Sequence, residues 1–364
     1  MAVSHLECKE CKAEYPLQAL YVCERCFGPL EVAYEHGRAG RDVGELRRRI
    51  QGGPQNIWRY ADFLPLAGGP PGPSGRLTSR VGLPAGCTPL VRADRLAERL
   101  GLREVWVKND AANPTHSFKD RVVSVAVARA RELGYEVIAC ASTGNLANSV
   151  AAHGAALGIE SYVFIPANLE EQKVLATGVY GTRLVAVNGS YDDVNRLCTE
   201  LCAERDWAFV NVNLRPYYAE GSKTLAFELA EQLGWRLPDR CVVPVASGSL
   251  FTKIARGFDE WRQLGLLEGE LPRMNGAQAD GCAPVAGERF DVILYNPPIR
   301  AGRQVVLRLL REARECLAPG GRLYLVARTN QGARTLGRLA GEIFARVTEI
   351  ERGSGFRVFE GRDV

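Results

Sequence analysis

Between residues 87 and 260, short runs rich in β-branched residues alternate with longer Ala/Leu-rich stretches, and this alternation leaves few folds open. The strand-like runs are 104–108, 137–141, 161–165, 183–187, 208–212 and 241–245. Strands that alternate with helices pair in parallel, with the helices as crossovers on the faces of the sheet. The expected class is therefore α/β. A Gly/Pro stretch at 67–73 can be neither helix nor strand interior and reads as a connector. With 364 residues there is room for two or more domains, each with a buried core. Neither a signal-like N-terminus nor an apolar run of membrane-spanning length is present, so no membrane partner is expected. Eleven cysteines without a secretory signal point to a reducing compartment, and the cytoplasm is the expected location.

Four of those cysteines are patterned. Cys8-x-x-Cys11 and Cys23-x-x-Cys26 are separated by eleven residues. Each CxxC can form a tight knuckle that aims two thiolates at one ion, and four thiolates suit tetrahedral zinc. The spacing is shorter than the usual zinc-ribbon gap, and four unrelated cysteines are the competing reading. Four ligands leave no open coordination position, so the expected role is structural.

Three loops carry the candidate chemistry. In Asn113-Pro-Thr-His-Ser-Phe-Lys119-Asp-Arg121, a turn-forming stretch delivers a lysine to the start of a helix expected over 119–133. The positive end of a helix dipole destabilises an ammonium, and Schiff-base chemistry needs a partly neutral lysine. A surface lysine beside a capping serine is the plain alternative. Ser142-Thr143-Gly144-Asn145 follows a strand and opens a helix, where backbone N–H groups converge on an anion; an ordinary helix cap is the plain alternative. Ser247-Gly248-Ser249 follows the apolar strand 241–245 and can cradle a phosphate, although a short Ser-Gly-Ser is by itself usually a loop. In the segment 211–224, Gly221-Ser222-Lys223-Thr224 invites comparison with a nucleotide P-loop. The first glycine of that motif would fall on Pro216 or Tyr217, so the comparison fails.

The stretch Asn113 to Arg121 resembles the cofactor-lysine motif of threonine synthases, in the tryptophan-synthase-β-like family of pyridoxal-phosphate enzymes. The order of the three loops is that of fold-type-II pyridoxal enzymes. Similarity extends through Gly86-Cys-Thr-Pro-Leu-Val91, Trp106-Val-Lys-Asn-Asp110, the segment 211–224 and the run 275–284. The resemblance implies that Lys119 holds pyridoxal 5'-phosphate as a Schiff base and is the catalytic residue. It implies that Asn145 meets the cofactor ring oxygen and that Ser247, Gly248 and Ser249 cradle its phosphate. Ser142 and Thr143 would receive the substrate carboxylate, and Asn213, Arg215 and Lys223 the substrate phosphate. The implied reaction converts O-phospho-L-homoserine and water to L-threonine and phosphate. Some threonine synthases similarly carry an N-terminal zinc-ribbon-like segment, in agreement with Cys8, Cys11, Cys23 and Cys26. A homodimer remains an open option.

This resemblance covers about residues 6–286 and stops before the rest of the family's large domain. Residues 287–364 contain 14 Arg, no Lys and 9 acidic residues, whereas all seven lysines lie earlier. Phe290-Asp-Val-Ile-Leu-Tyr-Asn296-Pro297-Pro298-Ile299 resembles the catalytic strand end of S-adenosylmethionine-dependent methyltransferases, nearest to ribosomal-RNA guanine-N2 methyltransferases. A helix at 304–317, a Pro319-Gly-Gly turn, a strand at 322–327, a helix and a hairpin are expected to follow. Ile299 stands where an aromatic residue is usual, and the Gly-rich cofactor loop is missing upstream. The expected organisation is a zinc-ribbon-like knuckle at 1–35, a truncated fold-type-II pyridoxal-phosphate region at 36–286, and a partial Rossmann-like methyltransferase segment at 287–364. Nucleic acid is not the expected partner, since an Arg-rich solvated surface explains the charge. The alternatives to the lyase are a guanine-N2 methyltransferase fragment and an inactive fusion of two incomplete domains.

Overall fold

The computed structural model describes residues 2–35, 42–66, 82–277, 290–295, 303–328, 333–353 and 356–363. The Gly/Pro connector at 67–73, the boundary at 286–287 and the Asn296-Pro297-Pro298 motif lie outside the described residues. Contacts divide the chain into two units. One comprises Met1–Glu7, Glu14–Tyr21 and Leu30–Ala277; the other comprises Cys8–Ala13, Val22–Pro29 and Gln278–Val364. Among the described residues no helix is long and apolar enough to cross a membrane.

The chain opens with β1 (Ala2–Cys8), β2 (Glu14–Tyr15) and β3 (Leu30–Glu35), in the order β2-β1-β3. Helix α1 (Val43–Gln51) starts where the Asp42 carboxylate accepts from the N–H groups of Gly44 and Glu45. After a 3-10 turn at Ile57–Phe63 come β4 (Leu90–Arg92), α2 (Asp94–Leu100) and β5 (Trp106–Lys108), with β4 and β5 antiparallel.

Helix α3 (Lys119–Glu132) is the pivot of the larger unit: the eleven residues Asp120 to Ala130 are all buried. A helix buried all round must have its charges satisfied inside the protein. It is followed by β6 (Val137–Ala141), α4 (Asn145–Leu157), β7 (Glu160–Pro166), α5 (Glu171–Gly178), β8 (Arg183–Val187), α6 (Tyr191–Glu204) and β9 (Ala208–Phe209). These strands form a parallel sheet in the order β8-β7-β6-β9, as the alternation of the sequence required. The strand expected at 208–212 is shorter than its composition suggested. Asn213 Oδ1 accepts from the Phe209 N–H (2.8 Å) and Asn213 Nδ2 donates to Trp207 O (3.0 Å), which turns the chain away from the sheet.

That turn leads into α7 (Arg215–Glu220), α8 (Lys223–Gln232), β10 (Arg240–Pro244), α9 (Ser249–Gln263) and β11 (Arg273–Ala277), with β10 and β11 parallel. Their core is aromatic: Phe227 and Trp261 stack at 4.7 Å, and Tyr60 and Phe63 meet Trp261 edge-on. In the second unit, β12 (Phe290–Tyr295) pairs in parallel with β13 (Leu317–Arg328), and α10 (Arg303–Glu315) connects them. Then α11 (Ala333–Gly341) precedes the hairpin of β14 (Arg346–Gly353) and β15 (Phe356–Arg362), giving the order β12-β13-β15-β14. The Pro319-Gly320-Gly321 turn lies inside β13. The register jumps there from Phe290↔Leu317 to Val292↔Arg322, with Gly320 at φ 79°.

A buried ion cluster ties α3 to its neighbours. Arg121, fully buried, donates to Asp110 (2.8 Å) and Glu228 (2.8 Å), and Lys108 pairs with the same Glu228. Glu228 also accepts from the backbone N–H groups of Cys87 (2.8 Å) and Thr88 (2.7 Å). Burial by itself pushes the Glu228 carboxyl up; the Arg121 guanidinium and the Lys108 ammonium outweigh it and hold the group down at about 2. The folded value lies below the unfolded one, so this stabilisation is present above the ordinary carboxylate range and is lost as pH falls through about 2. Glu228→Gln is therefore expected to lower unfolding stability near neutral pH by about 3 kcal/mol, because it takes the paired carboxylate from Lys108 and leaves Arg121 with Asp110 alone. In urea titrations from neutral to acid pH, its stability should fall less steeply than that of the wild type.

Candidate functional site

The turn before Lys119 is built by its own side chains. Asn113 Oδ1 accepts from the Gly86 N–H (2.9 Å), and His116 takes a left-handed φ of 59° as its N–H bonds Asn113 O (2.8 Å). Ser117 Oγ accepts from the Lys119 N–H (3.2 Å). Asp120, fully buried, accepts from the Thr115 N–H (2.7 Å), Thr115 Oγ1 (2.7 Å) and Ser149 Oγ (2.6 Å). One carboxylate thus joins the lysine turn, the head of α3 and helix α4.

Lys119 is the first residue of α3 and is half-buried. Its Nζ donates to Tyr218 Oη (3.0 Å) and lies 4.5 Å from the centre of the Phe118 ring. Among the described residues no carboxylate pairs with it. Burial lowers its pKa from the ordinary lysine value. The direction is the one the sequence suggested, and loss of solvent drives it.

Two further helices start beside strand ends without a side-chain cap. Gly144 precedes α4 directly after β6, and Gly248 precedes α9 after β10, at φ 78°. A Cβ at either glycine would meet nothing within 4 Å, and neither first turn has a side-chain cap on its N–H groups. Ser142 is buried, with Oγ accepting from the Gly144 N–H (3.4 Å), while Thr143 is half-buried and Asn145 exposed. Ser247 is exposed, and Gly248 and Ser249 are half-buried. Asn211 donates to Ala141 O (3.4 Å) and leaves its own Oδ1 buried without a partner at the end of β6. These features fit an anionic, aldehyde-bearing cofactor: two helix N-termini without side-chain caps and a lysine of lowered pKa with no carboxylate partner among the described residues.

The residues of the 211–224 segment divide into two groups. Arg215, the first residue of α7, is exposed, and its charge is felt at Tyr218. Lys223 is fully buried, 2.6 Å from Glu220 and 2.8 Å from Glu260, with its Nζ 4.1 Å from the centre of the Tyr34 ring. Both polar atoms of Asn213 are bonded to backbone. Gly221 is needed for packing, since a Cβ there would stand 2.5 Å from Arg121 O. Sequence reasoning missed Tyr218, because nothing in a Tyr-Tyr pair says which ring faces the lysine.

Cys8, Cys11, Cys23 and Cys26 form a cluster that can bind a metal ion: all four Sγ atoms lie within 4.8 Å of one another. Cys8 and Cys26 approach to 3.4 Å, and Cys11 and Cys23 to 3.5 Å. A tetrahedron with metal–sulfur bonds of about 2.3 Å has edges of about 3.8 Å, close to these distances. The two knuckles repeat one geometry. Lys12 N bonds Cys8 O and Phe27 N bonds Cys23 O, and the residue after each second cysteine is left-handed (Lys12 φ 61°, Phe27 φ 58°).

A family model described as pyridoxal-phosphate dependent enzyme matches residues 81–314. Threonine synthase from Methanosarcina acetivorans is 38% identical over 283 residues, which cover 77% of this chain and 66% of that protein. Threonine synthase from Methanocaldococcus jannaschii is 39% identical over 300 residues, covering 80% and 70% respectively. For the Bacillus sp. threonine synthase the figures are 36% over 229 residues, 62% and 61%. The chain thus spans between 61% and 70% of the length of these relatives. Among solved structures, the processed form of threonine deaminase isoform 2 from Solanum lycopersicum aligns at a TM-score of 0.47 and 22% identity, over 67% of this chain and 58% of that one.

Replacing Asp120 by alanine leaves the Thr115 N–H and two hydroxyls buried without their acceptor. A loss of about 3 kcal/mol in unfolding free energy is expected, measurable by denaturant titration, with Lys119 itself intact.

Proposed function

The chain belongs to the pyridoxal-phosphate dependent enzyme family, with threonine synthases among its relatives, and we propose that it is a lyase of threonine-synthase type. In this reading it takes O-phospho-L-homoserine and water to L-threonine and phosphate in the cytoplasm. The observation that carries the reading is Lys119: a half-buried lysine without a carboxylate partner among the described residues, at the head of the most buried helix. A carboxylate at that place would keep the amine charged and inert as a nucleophile.

Lys119 Nζ would hold pyridoxal 5'-phosphate, Asn145 would meet its ring oxygen, and the turn of Ser247, Gly248 and Ser249 would hold its phosphate at the start of α9. When bound, the cofactor supplies an electron sink. The other tasks fall to this chain's residues. Ser142, Thr143 and the first turn of α4 receive the substrate carboxylate. Arg215, exposed on α7, meets the substrate phosphate with its guanidinium fork. Lys119, freed from its first duty, takes protons from Cα and Cβ and returns them at Cγ and Cα as phosphate leaves Cγ and water adds at Cβ. Asn213 and Lys223 have their polar atoms spent within the protein, so their part is to set the course of α7 rather than to touch phosphate.

The four-cysteine cluster is assigned a structural zinc ion, on the strength of its thiolate donors and twofold-repeated knuckles. For residues 287–364 a methyltransferase-like fragment is the second reading. It is favoured by the order strand, helix, strand, helix, hairpin, with β12 and β13 parallel and β15 antiparallel.

Adding pyridoxal phosphate to the purified chain should give a visible Schiff-base band that is absent in Lys119→Ala. Phosphate release from O-phosphohomoserine should fall by about a thousandfold in that variant. Arg215→Ala should chiefly raise KM, whereas Lys223→Met should chiefly lower stability. A missing band in soluble, folded wild-type protein would overturn the lyase reading. Elemental analysis should find about one zinc per chain, and chelation should lower the thermal midpoint.

A further inference from the structure

Among the described residues Tyr218 is the one group in hydrogen-bond contact with the reacting atom of Lys119, and nothing so far gives it a role. Its place is rigidly determined. The preceding residue, Tyr217, is fully buried, donates to Gln18 O (2.8 Å) and lies under Arg129, so the two rings of the pair are committed to different surroundings. At the C-terminal end of α7, Glu220 is locked by Lys223 and Lys253, and Gly221 sits against the backbone of Arg121. The C-terminal end of this short helix cannot shift without disturbing a buried charge.

We propose that Tyr218 sets both the direction and the protonation state of Lys119, by offering its Nζ a neutral oxygen acceptor where other buried lysines have a carboxylate. This rests on the reading of Lys119 as the cofactor lysine. An ammonium is a donor only. Around this one stand the Tyr218 oxygen and the two ring faces of Phe118 and Tyr218. A hydrogen bond to the charged form favours that form, so the phenol offsets part of the effect of burial on Lys119. Being uncharged, it forms no ion pair with the lysine, unlike the glutamates that flank Lys223.

The phenol remains neutral over the working range. Burial chiefly raises its pKa, Cys140 of β6 and Tyr191 of α6 raise it further, and Arg215 of α7 opposes them. Lys119 of α3 completes the groups facing it.

The test uses the intact chain without cofactor. Lys119 acetylation by acetic anhydride is followed from about pH 6 to about pH 11 by peptide mass spectrometry. In Tyr218→Phe the ammonium loses its oxygen acceptor, so the midpoint of Lys119 reactivity should move down by roughly half to one pH unit. Tyr217→Phe, which removes a neighbouring hydroxyl bonded elsewhere, should leave the midpoint in place. An unchanged or raised midpoint in Tyr218→Phe, or an equal shift in Tyr217→Phe, would overturn the proposal. Separately, wild-type protein is treated with pyridoxal phosphate and borohydride. If the reduced adduct does not map to Lys119, the cofactor reading fails, whatever the acetylation profile shows.

Discussion

The Arg121 guanidinium, buried between Asp110 and Glu228, is the interaction on which the rest of the larger unit depends. It lies two residues after Lys119, and its partners come from the segment before α3 and from α8. Glu228 extends the tie to the backbone at Cys87 and Thr88 and to Lys108 of β5. Removing one partner of such a cluster leaves a stranded charge in low dielectric, so its parts are fixed together or not at all. The start of α3 therefore cannot slide, and Lys119 is held in place by a charge it does not touch. Asp120 does the same on the other side, through Thr115 and Ser149.

Two lysines of this unit show how environment decides role. Lys223 is fully buried between Glu220 and Glu260, and its charge is structural. Lys119 is less deeply buried yet meets, among the described residues, only a phenol oxygen and aromatic faces. Burial disfavours the charged form of Lys119, and among the described residues no carboxylate answers it, whereas Lys223 meets two. A sequence motif that names a lysine does not say which of these it will be. The Gly221-Ser222-Lys223-Thr224 stretch, which looks built for phosphate, is used here for helix packing: Gly221 for close approach to α3, Lys223 for the buried ion pairs, and Thr224 for a hydroxyl bonded to Gly221 O.

The cysteine knuckles show the opposite case, where local spacing is nearly sufficient. Two residues between cysteines force a tight turn, and both turns adopt the same hydrogen bond and the same left-handed residue. What spacing could not supply is that the two turns face each other, bringing all four sulfurs within 4.8 Å.

The sequence by itself determined the alternation of strand and helix, hence the parallel sheet, because periodicity and β-branching act within a few residues. It also placed Lys119 at a helix start, glycine-fronted turns before α4 and α9, and four cysteines at metal spacing, since these are statements about neighbours in the chain. Only the tertiary structure decided that burial depresses the pKa of Lys119 and that Lys223 is spent on carboxylates. Tyr218 likewise emerges only when α7 is laid against α3. The reason is common to all three. Desolvation, ion pairing and hydrogen-bond satisfaction depend on what surrounds an atom in space, and for a buried side chain those surroundings come from segments far away in sequence.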